Sequence, residues 1–76
     1  MNENRRKRLR TARSMLDNAG IIIGDVMENE RDALDNWPES LQESDRYIDA
    51  MEACDELEDI LSQLHDASSR LHEVSH

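Results

Sequence analysis

The sequence predicts an all-α protein: an antiparallel two-helix hairpin of coiled-coil type that dimerises into a four-helix bundle. Three observations carry this expectation. Apolar residues recur at alternating spacings of three and four through Leu9, Ala12, Leu16, Ala19, Ile23, Val26, Ala33 and Trp37, with only Glu30 out of type. A second run of the same period passes through Tyr47, Ala50, Cys54, Leu57, Leu61, Leu64 and Leu71, with Ser68 out of type. The only proline, Pro38, stands between the two runs. Such spacing marks amphipathic helices that bury one stripe against other helices.

The first helix is expected over about residues 4–36, a rod of roughly 50 Å at ~1.5 Å per residue. Gly20 and Gly24 interrupt it, at a cost of roughly 2 kcal/mol relative to alanine in an isolated helix. One reading makes Asn18-Ala19-Gly20 a C-cap, with Ile21-Ile22-Ile23 a strand or a kinked segment. The other continues the helix and uses the glycines for close approach of a partner backbone. The unbroken heptad phase from Leu16 through Val26 favours continuity.

The turn occupies residues 37–44, Trp37-Pro38-Glu39-Ser40-Leu41-Gln42-Glu43-Ser44. Pro38 lacks a backbone donor and pushes Trp37 out of the helical region, so the first helix stops there. The second helix, about residues 45–73, can start at Ser44 as N-cap with Asp45 in its first turn. Alternatively, Ser40 with Glu43 forms a capping box and starts it earlier. Two long helices with so short a connection fold back on each other. The whole chain, residues 1–76, is then a single hairpin domain.

Heptad labelling puts Leu9, Leu16, Ile23 and Trp37 at a and Ala12, Ala19, Val26 and Ala33 at d. Met15 and Ile22 then fall at g, and Met27 and Leu34 at e. In the second helix, with Tyr47 at a, Ile60 is at g and Met51 at e. A two-helix seam needs only a and d. The wider apolar face, comprising Met15, Ile22, Met27, Leu34, Met51 and Ile60, is therefore expected to form a homodimer interface. Chains this short bury only about 60% of their unfolded surface and usually need a staple or a partner. Cys54 is the only cysteine, so no disulfide can form within the chain. It falls on the apolar stripe, as suits a reduced thiol packed as a small hydrophobe.

Charge is distributed unevenly. Residues 1–20 carry net +4 and residues 21–76 net −13, which together give −9. The acidic part repels nucleic acid and anionic membrane. Only the basic start, Arg5, Arg6, Lys7 and Arg8, offers a possible phosphate contact. Basic residues are unfavourable at a helix N-terminus, so the C-terminal end of the second helix, with Glu73, is expected alongside to offset them. No signal peptide is recognisable, since Arg13 and Asp17 lie where an apolar region is needed, and Ile21–Ile23 is too short to span a bilayer. The expected location is the cytoplasm.

Candidate chemistry is sparse. Glu73 and His76 have the Glu-x-x-His spacing of bundle metal sites but lie among the last four residues, where fraying is expected. His65 and His72, seven apart, are two turns from each other and read as boundary residues. Glu52, Asp55, Glu56 and Asp59 are similar to the paired acids with which all-α nucleotide pyrophosphohydrolases hold magnesium, but their heptad positions point outward. No nucleophile constellation or phosphate loop is present. The sequence thus predicts no enzyme and no cofactor. With Asp49 and Asp66 the same acids form an outward stripe, which could occupy a basic nucleic-acid groove by imitating phosphate spacing.

Asp35-Asn36-Trp37-Pro38-Glu39-Ser40-Leu41-Gln42-Glu43-Ser44 resembles the turn of a group of short helical proteins found in bacterial genomes, phages and prophages. Their shared pattern is a basic helical start, an acidic stretch leading to Asp-Asn-x-Pro-Glu-Ser-Leu-Gln, and a second acidic helix. The resemblance implies a helical hairpin and a mobile-element context. The chain departs from the pattern at Trp37, where a smaller apolar residue is common, and in Gly20-Ile21-Ile22-Ile23-Gly24. The functional expectation is a non-enzymatic interaction protein, phage- or prophage-encoded, that modulates or inhibits a host protein with a basic surface. An anti-defence inhibitor is one such role. The partner-binding residues would be Asp49, Glu52, Asp55, Glu56, Asp59, Asp66, Trp37 and Leu41. The alternative is a nucleic-acid accessory protein using the basic arm.

Overall fold

A computed structural model describes residues 1–76. Two helices, α1 (Glu3–Asp35) and α2 (Asp45–Ser75), pack against each other as an antiparallel hairpin, with one 3₁₀ turn, Glu39–Leu41, between them. The hairpin is a rod with Cα extents of 59 × 14 × 13 Å. Neither helix is long and apolar enough to cross a membrane.

α1 begins one residue before the expected start because Asn2 caps it: Asn2 Oδ1 accepts from the Arg5 N–H at 2.8 Å. This satisfies one of the free donors of the first turn. The helix runs unbroken through both glycines, with no residue at positive φ. It ends ahead of Trp37-Pro38, where the Asn36 N–H reaches back to Ala33 and Leu34 and the Trp37 N–H to Leu34.

The connection closes without a glycine. The Leu41 N–H donates to Pro38 O at 2.9 Å, and the Ser44 N–H to Leu41 O at 3.1 Å. Ser44, rather than the Ser40–Glu43 box, caps α2. Its Oγ accepts from the Tyr47 N–H at 3.3 Å and donates to Leu41 O at 2.7 Å. The Trp37 and Tyr47 rings pack at 5.6 Å between centroids, tilted by 53°.

The seam of α2 follows the expected a and d positions. Cys54 and Ser68 are buried, Tyr47, Ala50, Leu57, Leu61, Leu64 and Leu71 are half-buried, and Ser75 extends the row. The seam of α1 follows them only in its first part, where Leu9, Ala12, Leu16, Ala19 and Ile23 are half-buried. Val26 is 53% exposed and Ala33 is exposed, whereas Leu34 is only 4% exposed. The inward row combines a with e: Leu9, Arg13, Leu16, Gly20, Ile23, Met27 and Leu34, with half-buried Arg31 in place of exposed Glu30. A Cβ on Gly20 would lie 4.0 Å from Leu61 Cδ2, an ordinary contact, so Gly20 faces a leucine side chain of α2 and no backbone approaches it. Gly24 faces open space.

This phase corrects the assignment of Leu34, which belongs to the hairpin's own core and has almost no surface left for a second chain. Met27 joins the same row.

Candidate functional site: two unlike sides of one hairpin

The side of the hairpin formed by e and b positions is closed by polar links between the helices. Arg31 Nη2 donates to Glu58 Oε2 at 2.9 Å, with both side chains substantially exposed. That bond raises the already high pKa of the guanidinium further. Arg13 Nε donates to Ser68 Oγ at 3.3 Å, and Ser68 Oγ donates to Asp17 Oδ1 at 2.6 Å. Arg13 Nη1 also lies 2.7 Å from His72 Nδ1 and donates to it. Ser68 thus replaces an apolar seam residue with a hydroxyl that bridges an arginine and an aspartate of α1. Sequence reasoning missed this group. Its one signal was the break in the apolar run at Ser68.

Met51 also borders this side, beside Arg31, Leu34 and Cys54. Met15 and Ile22, 66% and 65% exposed, lie on the opposite side of α1. The six expected interface residues therefore do not form one surface. Met15, Ile22 and half-buried Ile60 share the g side, while Met27, Leu34 and Met51 belong to the e side and the seam.

The g side carries no charge along the middle of the rod, between Arg5 and Arg8 at the open end and Arg46 at the turn end. From Leu9 to Ala33 the d and g positions of α1 are Ala12, Met15, Ala19, Ile22, Val26, Asn29 and Ala33. From Tyr47 to Ser75 the g positions of α2 are Ala53, Ile60, Ala67 and Val74. Val74 is 56% exposed, and with Ala67, Arg70 and Leu71 it lines a shallow groove.

The expected partner-binding acids, Asp49, Glu52, Asp55, Glu56, Asp59 and Asp66, are all exposed on α2. None of them forms an ion pair, and Asp59 accepts a hydrogen bond from Gln63 at 3.2 Å within its own helix. Leu41 is 48% exposed on the turn and Trp37 is half-buried. Nowhere do three or more His, Cys, Asp or Glu side chains converge as a metal would require.

At the open end, Glu3 accepts from Arg10 Nη2 at 2.6 Å and lies 4.0 Å from Arg6. The Arg10 hydrogen bond, reinforced by its charge, holds the Glu3 carboxyl below its ordinary range. Arg10 Nη1 also donates to Ser75 O at 3.3 Å. The carbonyl end of α2 thus offsets the basic start of α1, by a backbone oxygen; Glu73 forms no ion pair. Arg5, Lys7 and Arg8 are exposed and unpaired.

The fold and surface define an acidic helical hairpin with one polar-linked side and one uncharged side. The sequence matches no protein-family model, and no curated protein or solved structure matches it.

Proposed function

We propose that this chain is a non-enzymatic interaction module that dimerises through its uncharged side and offers the acidic stripe of α2 to a basic surface on another protein. The observation that carries the reading is the state of the stripe. Asp49, Glu52, Asp55, Glu56, Asp59 and Asp66 stand exposed outside any ion pair, with Arg31 near Asp55 alone, whereas Glu3 and Glu58 are paired. Unpaired carboxylates on a rigid helix steer and orient a cationic partner at little conformational cost. Trp37 and Leu41 at the adjoining turn supply apolar area beside the stripe. With the resemblance of the turn to phage and prophage hairpins, the role proposed is modulation of a bacterial host protein in the cytoplasm. Occupying a nucleic-acid-binding groove, as an anti-defence inhibitor would, is one form of it.

The test is capture from bacterial lysate by three chains: wild type, a triple reversal (Asp55→Lys, Glu56→Lys, Asp59→Lys), and a chain with Arg5, Arg6, Lys7 and Arg8 neutralised. A specific protein held by the wild type, released by salt and lost in the triple reversal is the expected result. A partner retained undiminished by the triple reversal would sink the stripe. Salt-sensitive nucleic-acid binding lost only when the arm is neutralised would instead establish the alternative role.

A further inference from the structure

The occupant of the uncharged side is a second copy of this chain, and we infer that the two copies lie antiparallel, the basic open end of each against the acidic turn end of the other. The inference rests on the dimer reading above and adds the arrangement.

Size makes the face large enough. Its uncharged stretch, about 36 Å long at ~1.5 Å per residue and 14 Å wide, presents on the order of 500 Å² per copy, about 1,000 Å² in all, where specific interfaces begin. Need makes it necessary. Only four residues of the hairpin are buried, and two of these are serines, so Leu34 and Cys54 are its whole buried apolar core. Met15, Ile22, Val26 and Val74 stay more than half exposed along one side with no charge among them. Covering that side supplies the burial the hairpin lacks.

Charge selects both the occupant and its direction. The hairpin brings residues 1–20 and 62–76 to one end, with net charge +3, and residues 21–61 to the other, with net charge −12. A two-fold axis along the rod would set the two −12 ends side by side. A two-fold axis across the rod sets each +3 end on a −12 end, which is self-complementary.

Such an axis passes near the middle of the rod, at the level of Ile22 on α1 and Ile60 on α2. Each α1 then faces its copy in reverse. Ala12 meets Ala33, and Ala19 meets Val26, pairing small side chains with one another or with a larger one. Arg70 at the edge of α2 comes to the level of Asp49 on the other copy.

Disulfide mapping decides this. Ala12→Cys and Ala33→Cys chains are prepared separately, mixed by unfolding and refolding, and oxidised, with the wild type as control for buried Cys54. Residues 12 and 33 of one helix are about 32 Å apart at ~1.5 Å per residue, so any bond between them joins two chains. Efficient crosslinking in the mixture, little in either chain alone, and a dimer that weakens several-fold as salt is raised are expected. A dimer that instead crosslinks Ala12→Cys to Val74→Cys, or that tightens with salt, overturns the antiparallel arrangement and leaves the dimer standing. A monomer by light scattering across a dilution series overturns the dimer itself.

Discussion

Replacing Ser68 by alanine tests whether the polar layer in the seam contributes to stability or is merely tolerated. The change deletes one hydroxyl and with it two bonds across the hairpin, to Asp17 at 2.6 Å and from Arg13 at 3.3 Å. Hydrogen bonds to charged groups contribute about 1.5–3 kcal/mol when buried. Asp17 is exposed and Arg13 half-buried, so water recovers much of both, and the long Arg13 bond adds least. A loss of about 1.5 kcal/mol is reasonable, offset by about 0.5 kcal/mol from the better helix propensity of alanine. The net expectation is about 1 kcal/mol, or a fall in Tm of about 4–8 °C for a chain of this size. Thermal melts by circular dichroism, run at one protein concentration because a dimer's Tm depends on it, measure this directly. A cycle with Asp17→Ala then isolates the pair, with a coupling of about 1 kcal/mol. An Ser68→Ala chain as stable as the wild type, with no coupling to Asp17, would refute the argument.

Two further outcomes follow from the geometry of α1. Gly20→Ala and Gly24→Ala should each raise stability by about 1 kcal/mol, since one Cβ meets Leu61 at ordinary contact distance and the other meets nothing. A loss of stability in thermal melts of Gly24→Ala would mean that something outside the hairpin packs there. At the open end, the Glu3 carboxyl has its pKa lowered in the folded chain. It therefore adds stability at neutral pH that is lost as pH falls through the ordinary carboxylate range toward the lowered value. NMR of the Arg5–Arg10 amides should show the first turn fraying on acidification in the wild type and much less pH dependence in Glu3→Gln. Equal pH dependence in both would remove Glu3 from the account.

The two helices, the turn and the seam of α2 were legible in the sequence, because each is written in local terms. Pro38 stops a helix by itself, Ser44 caps one by itself, and Leu57, Leu61 and Leu64 fix which way α2 faces. The phase of α1 was legible only as far as Ile23. Counting apolar residues favours Val26 and Ala33 over Arg13 and Gly20, yet Arg13 and Gly20 face inward. What decides the phase lies on the other helix: Ser68 supplies the hydroxyl that Arg13 needs, and Leu61 packs over Gly20 at a distance that would still admit a Cβ. Such pairings join residues 55 and 41 positions apart and leave no periodic trace. The same small error of phase moved Leu34 from a supposed interface into the core, and it hid the separation of the hairpin into a charged and an uncharged side. The outward direction of the acidic stripe survived because it was read from α2 alone.

The chain has one tryptophan and one tyrosine, and the turn sets them against each other. Its single thiol, 3% exposed, lies about two turns beyond Tyr47 along α2. Two native probes therefore watch different events. Indole emission, with tyrosine as a neighbouring energy donor, follows the closing of the loop, while alkylation of Cys54 proceeds only when the helices separate. Comparing the two distinguishes a hairpin that frays at its bend from one that opens along its length, with no label added.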